Sequence, residues 1–135
     1  MRKLIAVLAL FPAFAAAQTY PAKPIRLIVP FPAGGGVDFI GRIAAQGLAA
    51  RLGQQVAVDN RAGANGIVGL EVLKNAAPDG YTIAAASAGP LVVNPFIYRK
   101  LPYDTLKDFT HVGNMVNFPL LLVAHPSLPG ESVKG

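Results

Sequence analysis

Cysteine is absent from the 135 residues, so neither a disulfide framework nor thiolate chemistry is available and stability has to come from packing. Histidine is nearly absent. His111 and His125 are the two imidazoles, too few and too far apart in sequence to suggest a metal site. Charge is scarce as well: 14% of residues are charged, and the basic ones are scattered from Lys23 to Lys134 without the clustered stripe that phosphate backbones require, which argues against nucleic acid as a partner. The apolar run from Leu4 to Phe14 falls well short of the roughly 20 residues that a membrane-spanning helix needs.

That run has another reading. It follows Arg2 and Lys3 and ends in Ala15-Ala16-Ala17, which gives the basic start, short apolar stretch and small-residue cleavage site of a secretory signal peptide. Residues 1–17 are therefore expected to be removed before Gln18 and the mature protein to lie in the periplasm. Arg2 and Lys3 leave with the peptide, so the overall charge of +5 overstates the basicity of the mature chain. What remains is rich in apolar residues, 53% over the whole sequence, and belongs to a chain that can build a core.

After the signal, the pattern alternates between short β-rich runs and helical stretches, as in the βαβ units of a mostly parallel α/β sheet. Ile25 to Val29 reads as a strand buried on both faces. Pro30 to Gly36 reads as a loop. A helix from Val37 or Asp38 carries Ile40, Ile43, Ala44, Gly47, Leu48, Arg51 and Leu52 at helical steps, with Gly53 as its terminator. A second strand is expected at Gln55 to Val58, then a helix with Ile67, Leu70, Leu73 and Ala77 on one face, then a third strand at Tyr81 to Ala86. Right-handed crossovers would make the three strands parallel and gather residues 30–38, 59–66 and 87–94 at one sheet edge, where ligands bind in open α/β sheets. Beyond Asn94-Pro95 a short helix at Phe96 to Leu101 and strands at Val112 to Val116 and Leu120 to Ala124 are expected. The last strands have no covering element. The sequence therefore reads as incomplete, with a first α/β domain over 18–110 and, over 111–135, crossover strands that begin a second domain.

Gly34-Gly35-Gly36 is the most informative motif. Glycine lets backbone N–H groups approach a ligand, and the following helix N-terminus adds partial positive charge, so the loop suits an anion. Nucleotide motifs fail here: Gly36 to Ile43 spaces two glycines like a P-loop but offers Arg42-Ile43 in place of Lys and Ser/Thr, and Gly34, Gly36 and Phe39 lack the third glycine of a dinucleotide fingerprint. Asp38, in the first helical turn, is expected to cap backbone N–H groups or to meet the ligand. Ser87 in Ala85-Ala86-Ser87-Ala88-Gly89 lacks the first glycine of a nucleophile elbow and reads as a hydroxyl donor to a bound ligand. Asn60 and Asn65 read as turn-shaping residues, and Asn94 as a polar ligand contact.

Several segments together carry a family resemblance: Tyr20 to Phe31, Gly34 to Asp38, Asn60 to Gly66, Ala76 to Thr82, Asn94-Pro95, and Leu101 to Asp104 through Asp108-Phe109. Over nearly the whole mature chain the sequence resembles the Bug extracytoplasmic solute receptors, the binding proteins of tripartite tricarboxylate transporters. The resemblance implies an α/β periplasmic-binding-protein-like fold, a Venus flytrap of three-layer sandwiches, of which this chain is the N-terminal part. It implies no enzyme and no cofactor, a small carboxylate ligand, membrane permease subunits as partners, and a monomer at full length. The implied ligand-binding residues are Phe31, Ala33, Gly34, Gly35, Gly36 and Asp38 after the first strand, with Ser87, Ala88 and Gly89 after the third; Asn94 joins them from the reading of the residues above. Val37 stands where many relatives carry Ser or Thr.

The residues alone leave two other readings open, an exported α/β hydrolase using Ser87 and a remnant of a truncated gene. The signal reading has a direct check. Expressed in a bacterium, the exported protein should begin at Gln18 by mass spectrometry, and an intact Met1 would contradict it.

Overall fold

The computed structural model describes residues 19–119, 121–123, 125 and 127. The expected signal peptide and the closing residues 128–135 lie outside them. Three strands, β1 (Ile25–Val29), β2 (Val56–Asn60) and β3 (Thr82–Ala84), form one parallel sheet in the order β2-β1-β3. The helices α1 (Gly36–Leu52), α2 (Ile67–Lys74) and α3 (Asn94–Ile97) complete the regular structure.

β1 is central because it can be buried on both faces. Ile25, Leu27 and Val29 join Ala45 of α1, Val56 and Ala85 in one apolar cluster, whereas Ile28, one pleat out of phase, is buried on the opposite face. Its ladder with β2 runs from Ile25↔Val56 to Val29↔Asn60, so β2 reaches two residues further than its hydrophobicity suggests. Asp59 and Asn60 are tolerated in an edge strand and put polar side chains at the strand ends. β3 is shorter than expected, although the bonds from Arg26 N–H to Tyr81 O (2.8 Å) and from Ala85 N–H to Ile28 O (2.9 Å) extend its pairing at both ends.

α1 stops as expected. Gly53 adopts φ 66° and donates its N–H to Ala49 O at 3.0 Å. Its buried face, however, differs from the expected stripe. Asp38, Gly41 and Ala45 are buried, with Val37, Leu48, Ala49 and Leu52 packed around them, whereas Ile43 is 52% exposed. Size decides this: a Cβ on Gly41 would lie 3.0 Å from Val29 Cγ2, so the helix sits too close to the sheet for a larger residue on that row. α2 repeats the device, since Gly69 lies against Pro30 and Arg61 O and Leu70 is buried beside it. It ends at Lys74, before the expected Ala77.

At the N-terminal ends of the strands, residues 20–23 are fastened to the turn before β3. Tyr20 Oη donates to Gly80 O (2.8 Å), the Ala22 N–H donates to Tyr81 Oη (2.8 Å), and Lys23 pairs with Asp79 (3.3 Å). The Tyr20 and Tyr81 rings pack 5.1 Å apart.

After β3 the expected loop is helical instead. A π-turn over Gly89–Val93 runs directly into α3, which ends at Tyr98, so the helix starts and finishes earlier than its apolar spacing indicates. Pro90 is accommodated because it lies in the first turn of the helical stretch, where no N–H partner is required, and Pro95 follows the π-turn directly. The strand expected at Val112 to Val116 does not form, and no described residue of the Leu120 to Ala124 run is in a strand; residues 120 and 124 are outside the description. A strand needs a ladder partner, and none is present among the described residues. Val112 is 95% exposed and Leu121, Leu122 and Val123 are similarly bare.

Two glycines should respond in opposite senses. Gly69→Ala puts a Cβ 2.6 Å from Pro30 Cβ and should destabilise by about 1–3 kcal/mol. Gly47→Ala, in α1 with nothing within 4 Å, should stabilise by about 0.5–1 kcal/mol. Urea denaturation of both variants is the check, and equal effects would refute the close-packing account.

Candidate functional site

The site is built from the three segments leaving the C-terminal ends of the strands. Between β1 and α1, Pro30 is buried and Phe31 packs against the core cluster, while Ala33 to Gly36 are exposed. The left-handed residue is Gly34 at φ 85°, whereas Gly35 has φ −77° and ψ 168°. Built Cβ atoms at Gly34 and Gly36 would meet nothing within 4 Å, so the peptide surface is open there. No side chain caps α1. Among the described residues, the N–H groups of Gly36 and Val37 have no hydrogen-bond acceptor. Val37 turns its side chain toward the core, so the absence of a hydroxyl removes no donor from the open surface.

Asp38 does not face that surface. Its side chain is 3% exposed, and it accepts from Gly34 N–H (2.8 Å) and Arg42 Nε (2.9 Å) on Oδ2 and from Asn60 Nδ2 (2.9 Å) on Oδ1. Asn60 also donates to Phe31 O at 3.1 Å and accepts from Arg42 Nη2 at 3.2 Å. The three side chains form a closed ring that grips both ends of the loop. The Arg42 guanidinium, followed by the Gly34 N–H and the Asn60 amide, holds the Asp38 carboxyl down at about 2. Asp38 thus caps a loop N–H, Gly34, in place of the first turn of its helix.

The other two segments are tied to each other. Gly63, Ala64, Asn65 and Gly66 all have positive φ; asparagine tolerates this region, whereas Ala64 (45°) adopts it only under strain. Asn65 Nδ2 donates to Asn94 Oδ1 (2.7 Å) and Asn94 Nδ2 to Asn65 O (3.2 Å), so the fully buried Asn94 spends both ends of its amide on this turn. Asn94, expected from sequence as a polar ligand contact, here clamps this turn. A Cβ on Gly89 would lie 3.7 Å from Ser87 Oγ and 3.8 Å from Asn65 Nδ2, so these residues are close neighbours. Gly66 touches both Pro30 and Pro90, which brings the roots of all three segments together. Tyr103, buried, donates its hydroxyl to Pro90 O at 2.7 Å and fixes the third root from below.

Among the described residues, no hydrogen bond joins Ser87 to an imidazole. His111 Nε2 lies 3.0 Å from Thr105 O and His125 Nδ1 lies 2.7 Å from Ser127 Oγ, so each imidazole has a local partner instead of Ser87. Two open grooves, of about 470 Å³ along α1 and β2 and about 400 Å³ beside Tyr98 and Tyr103, lie away from the three loops. Sequence reasoning missed Arg42, Asn60, Gly66 and Tyr103. Asn60 carried a signal, a polar residue ending an apolar strand opposite the loop that it must hold.

Comparison with known proteins identifies what shares these features. Residues 40–135 match the model of the tripartite tricarboxylate transporter family receptor. The protein BugT of Bordetella pertussis is 41% identical over 98% of this chain. The chain spans 43% of BugT's length. Among solved structures, MatC from Rhodopseudomonas palustris with bound malate is 33% identical, with a TM-score of 0.65 over 67% of this chain and 31% of its own. An R. palustris protein with adipate is 32% identical, with a TM-score of 0.62 over 64% of this chain and 29% of its own.

The ring around Asp38 has an acid signature. A carboxyl held at about 2 when folded, against its ordinary 3.8, contributes stability that is fully present above pH 3.8 and is lost as pH falls through 2. Denaturation midpoints measured from pH 5 to pH 2 should fall less steeply for Asp38→Asn than for the wild type, with the variant less stable at neutral pH. Parallel slopes would show that the ring does not hold this carboxyl.

Proposed function

The chain belongs to the tripartite tricarboxylate transporter receptor family, and from that premise we propose that it is the front part of a periplasmic solute-binding protein that captures a small carboxylate and offers it to membrane permease subunits. It is not an enzyme in this reading. The observation that carries the reading is the open N-terminus of α1, where the Gly36 and Val37 N–H groups have no acceptor and no side chain covers the adjoining glycines. A carboxylate supplies the missing acceptors and meets the positive end of the helix dipole. Malate in MatC and adipate in the second R. palustris protein are ligands of this chemistry.

Phe31, Ala33 and Gly34 to Gly36 form one wall in this proposal, and Ser87 to Gly89 the other, with the Ser87 hydroxyl as a donor. Asp38 and Asn94 hold these walls without touching the ligand. A helix N-terminus contributes up to ~2 kcal/mol in a partly buried setting, about 30-fold in affinity. Tight capture therefore needs further contacts, which a second lobe closing over the first would supply. Tripartite permease partners, a periplasmic setting and a monomeric full-length protein complete the proposal.

Titration of the chain with malate and with adipate, followed by amide NMR shifts, should move Gly34 to Asp38 and Ser87 to Gly89. Gly35→Val should remove the response while leaving the fold, because φ −77° suits valine and the nearest atom to a built Cβ is Pro32 O at 3.4 Å. An undiminished response in that variant would take the loop out of the mechanism.

A further inference from the structure

A carboxylate ligand at α1 has an awkward neighbour. Asp38 lies in the first turn of the same helix, and its Oδ2 is 2.8 Å from the Gly34 nitrogen, in the loop proposed to receive the ligand. A charge on Asp38 works against a second carboxylate in that loop. Cancelling the charge on Asp38 therefore favours a ligand carboxylate in this loop.

Arg42 is placed to do this. It stands one helical turn after Asp38, donates from Nε to Oδ2 at 2.9 Å, and uses Nη2 on Asn60 Oδ1 at 3.2 Å. Its side chain is 50% exposed while that of Asp38 is 3% exposed, and its Nε and the loop's Gly34 N–H meet the same oxygen, Oδ2. Among the described residues, every hydrogen bond that Arg42 makes with its guanidinium goes to Asp38 or Asn60. The nearest other charges form a separate group: Asp59, next to Asn60 on β2, is paired with Arg26 of β1 and with Arg61.

We propose that Arg42 is a positioning residue for carboxylate binding, cancelling the charge of Asp38 through the ring with Asn60 and never touching the ligand. This rests on the reading that the N-terminus of α1 holds the ligand carboxylate. It assigns a role to a residue that a search for direct ligand contacts would pass over. It also separates two uses of an arginine. A guanidinium that binds the ligand is needed whatever Asp38 is, whereas one that neutralises Asp38 becomes dispensable once Asp38 is itself neutral.

The test uses acetate, the smallest carboxylate, added to the full chain at pH 7 against chloride of equal ionic strength, with the Gly36 and Val37 amide shifts as readout. Arg42→Gln should weaken acetate binding on the order of tenfold, as expected for one uncompensated charge near the site in partly screened surroundings. Arg42→Lys keeps the charge and should retain most of the affinity. The double variant Asp38→Asn with Arg42→Gln should recover affinity close to the wild type, because a neutral amide still accepts from Gly34 N–H. Thermal melts of each protein confirm that the fold is present. Wild-type affinity in Arg42→Gln, or a double variant as weak as Arg42→Gln, overturns this inference while leaving the carboxylate site standing. Wild-type amides that ignore acetate overturn the site and the inference together.

Discussion

A carboxylate taken out of water must be met by donors on every side, and the rest of the site depends on how Asp38 meets that demand. Its donors come from a loop, from its own helix and from the end of a neighbouring strand. Each donor is thereby fixed relative to the others. Asn60 extends the set to Phe31 O, so the loop between β1 and α1 is held at both of its ends while its middle stays bare. A loop with three consecutive glycines would otherwise be costly to order, since glycine has the most backbone freedom to lose. The ring makes that middle rigid without placing a side chain on it.

The second constraint is closeness. Gly41 is small because the Val29 side chain of the sheet occupies the space where its own would be, and Gly66 and Gly69 because proline rings do. Gly66 is wedged between Pro30 and Pro90, and Asn94 then clamps the strained turn at Ala64 and Asn65. Movement of one loop would strain the other two, so the three behave as one wall. A binding surface assembled in this way needs few charged groups, which accords with a chain poor in them.

The strands and the first helix were legible because their signals are local. A run of β-branched residues, a glycine terminator and glycine-spaced turns each reflect chemistry within a few positions, and β1, α1 and the parallel order follow from them. What was not legible depends on distance in sequence. Ile43 looks like a core residue until Gly41 is seen to lie against Val29, and Asn94 looks like a free polar contact until Asn65 takes both ends of its amide. The apolar stretch from Val112 has the composition of a strand and lacks a ladder partner among the described residues, a property no local pattern contains. The pair of segments at Tyr20 to Lys23 and Asp79 to Tyr81, both in the family resemblance, is explained by contact with each other.

The order β2-β1-β3 also has a temporal side. The strand at the centre of the sheet is the first to be synthesised, and its partners arrive about thirty and nearly sixty residues later. Non-local pairing of this kind is slow to form, because long loops must close before any contact rewards them. Until residues 82–84 are available to pair, the most apolar segment of the sheet has an open edge. The arrangement that buries β1 most completely in the finished protein is therefore the one that leaves it waiting longest in the growing chain.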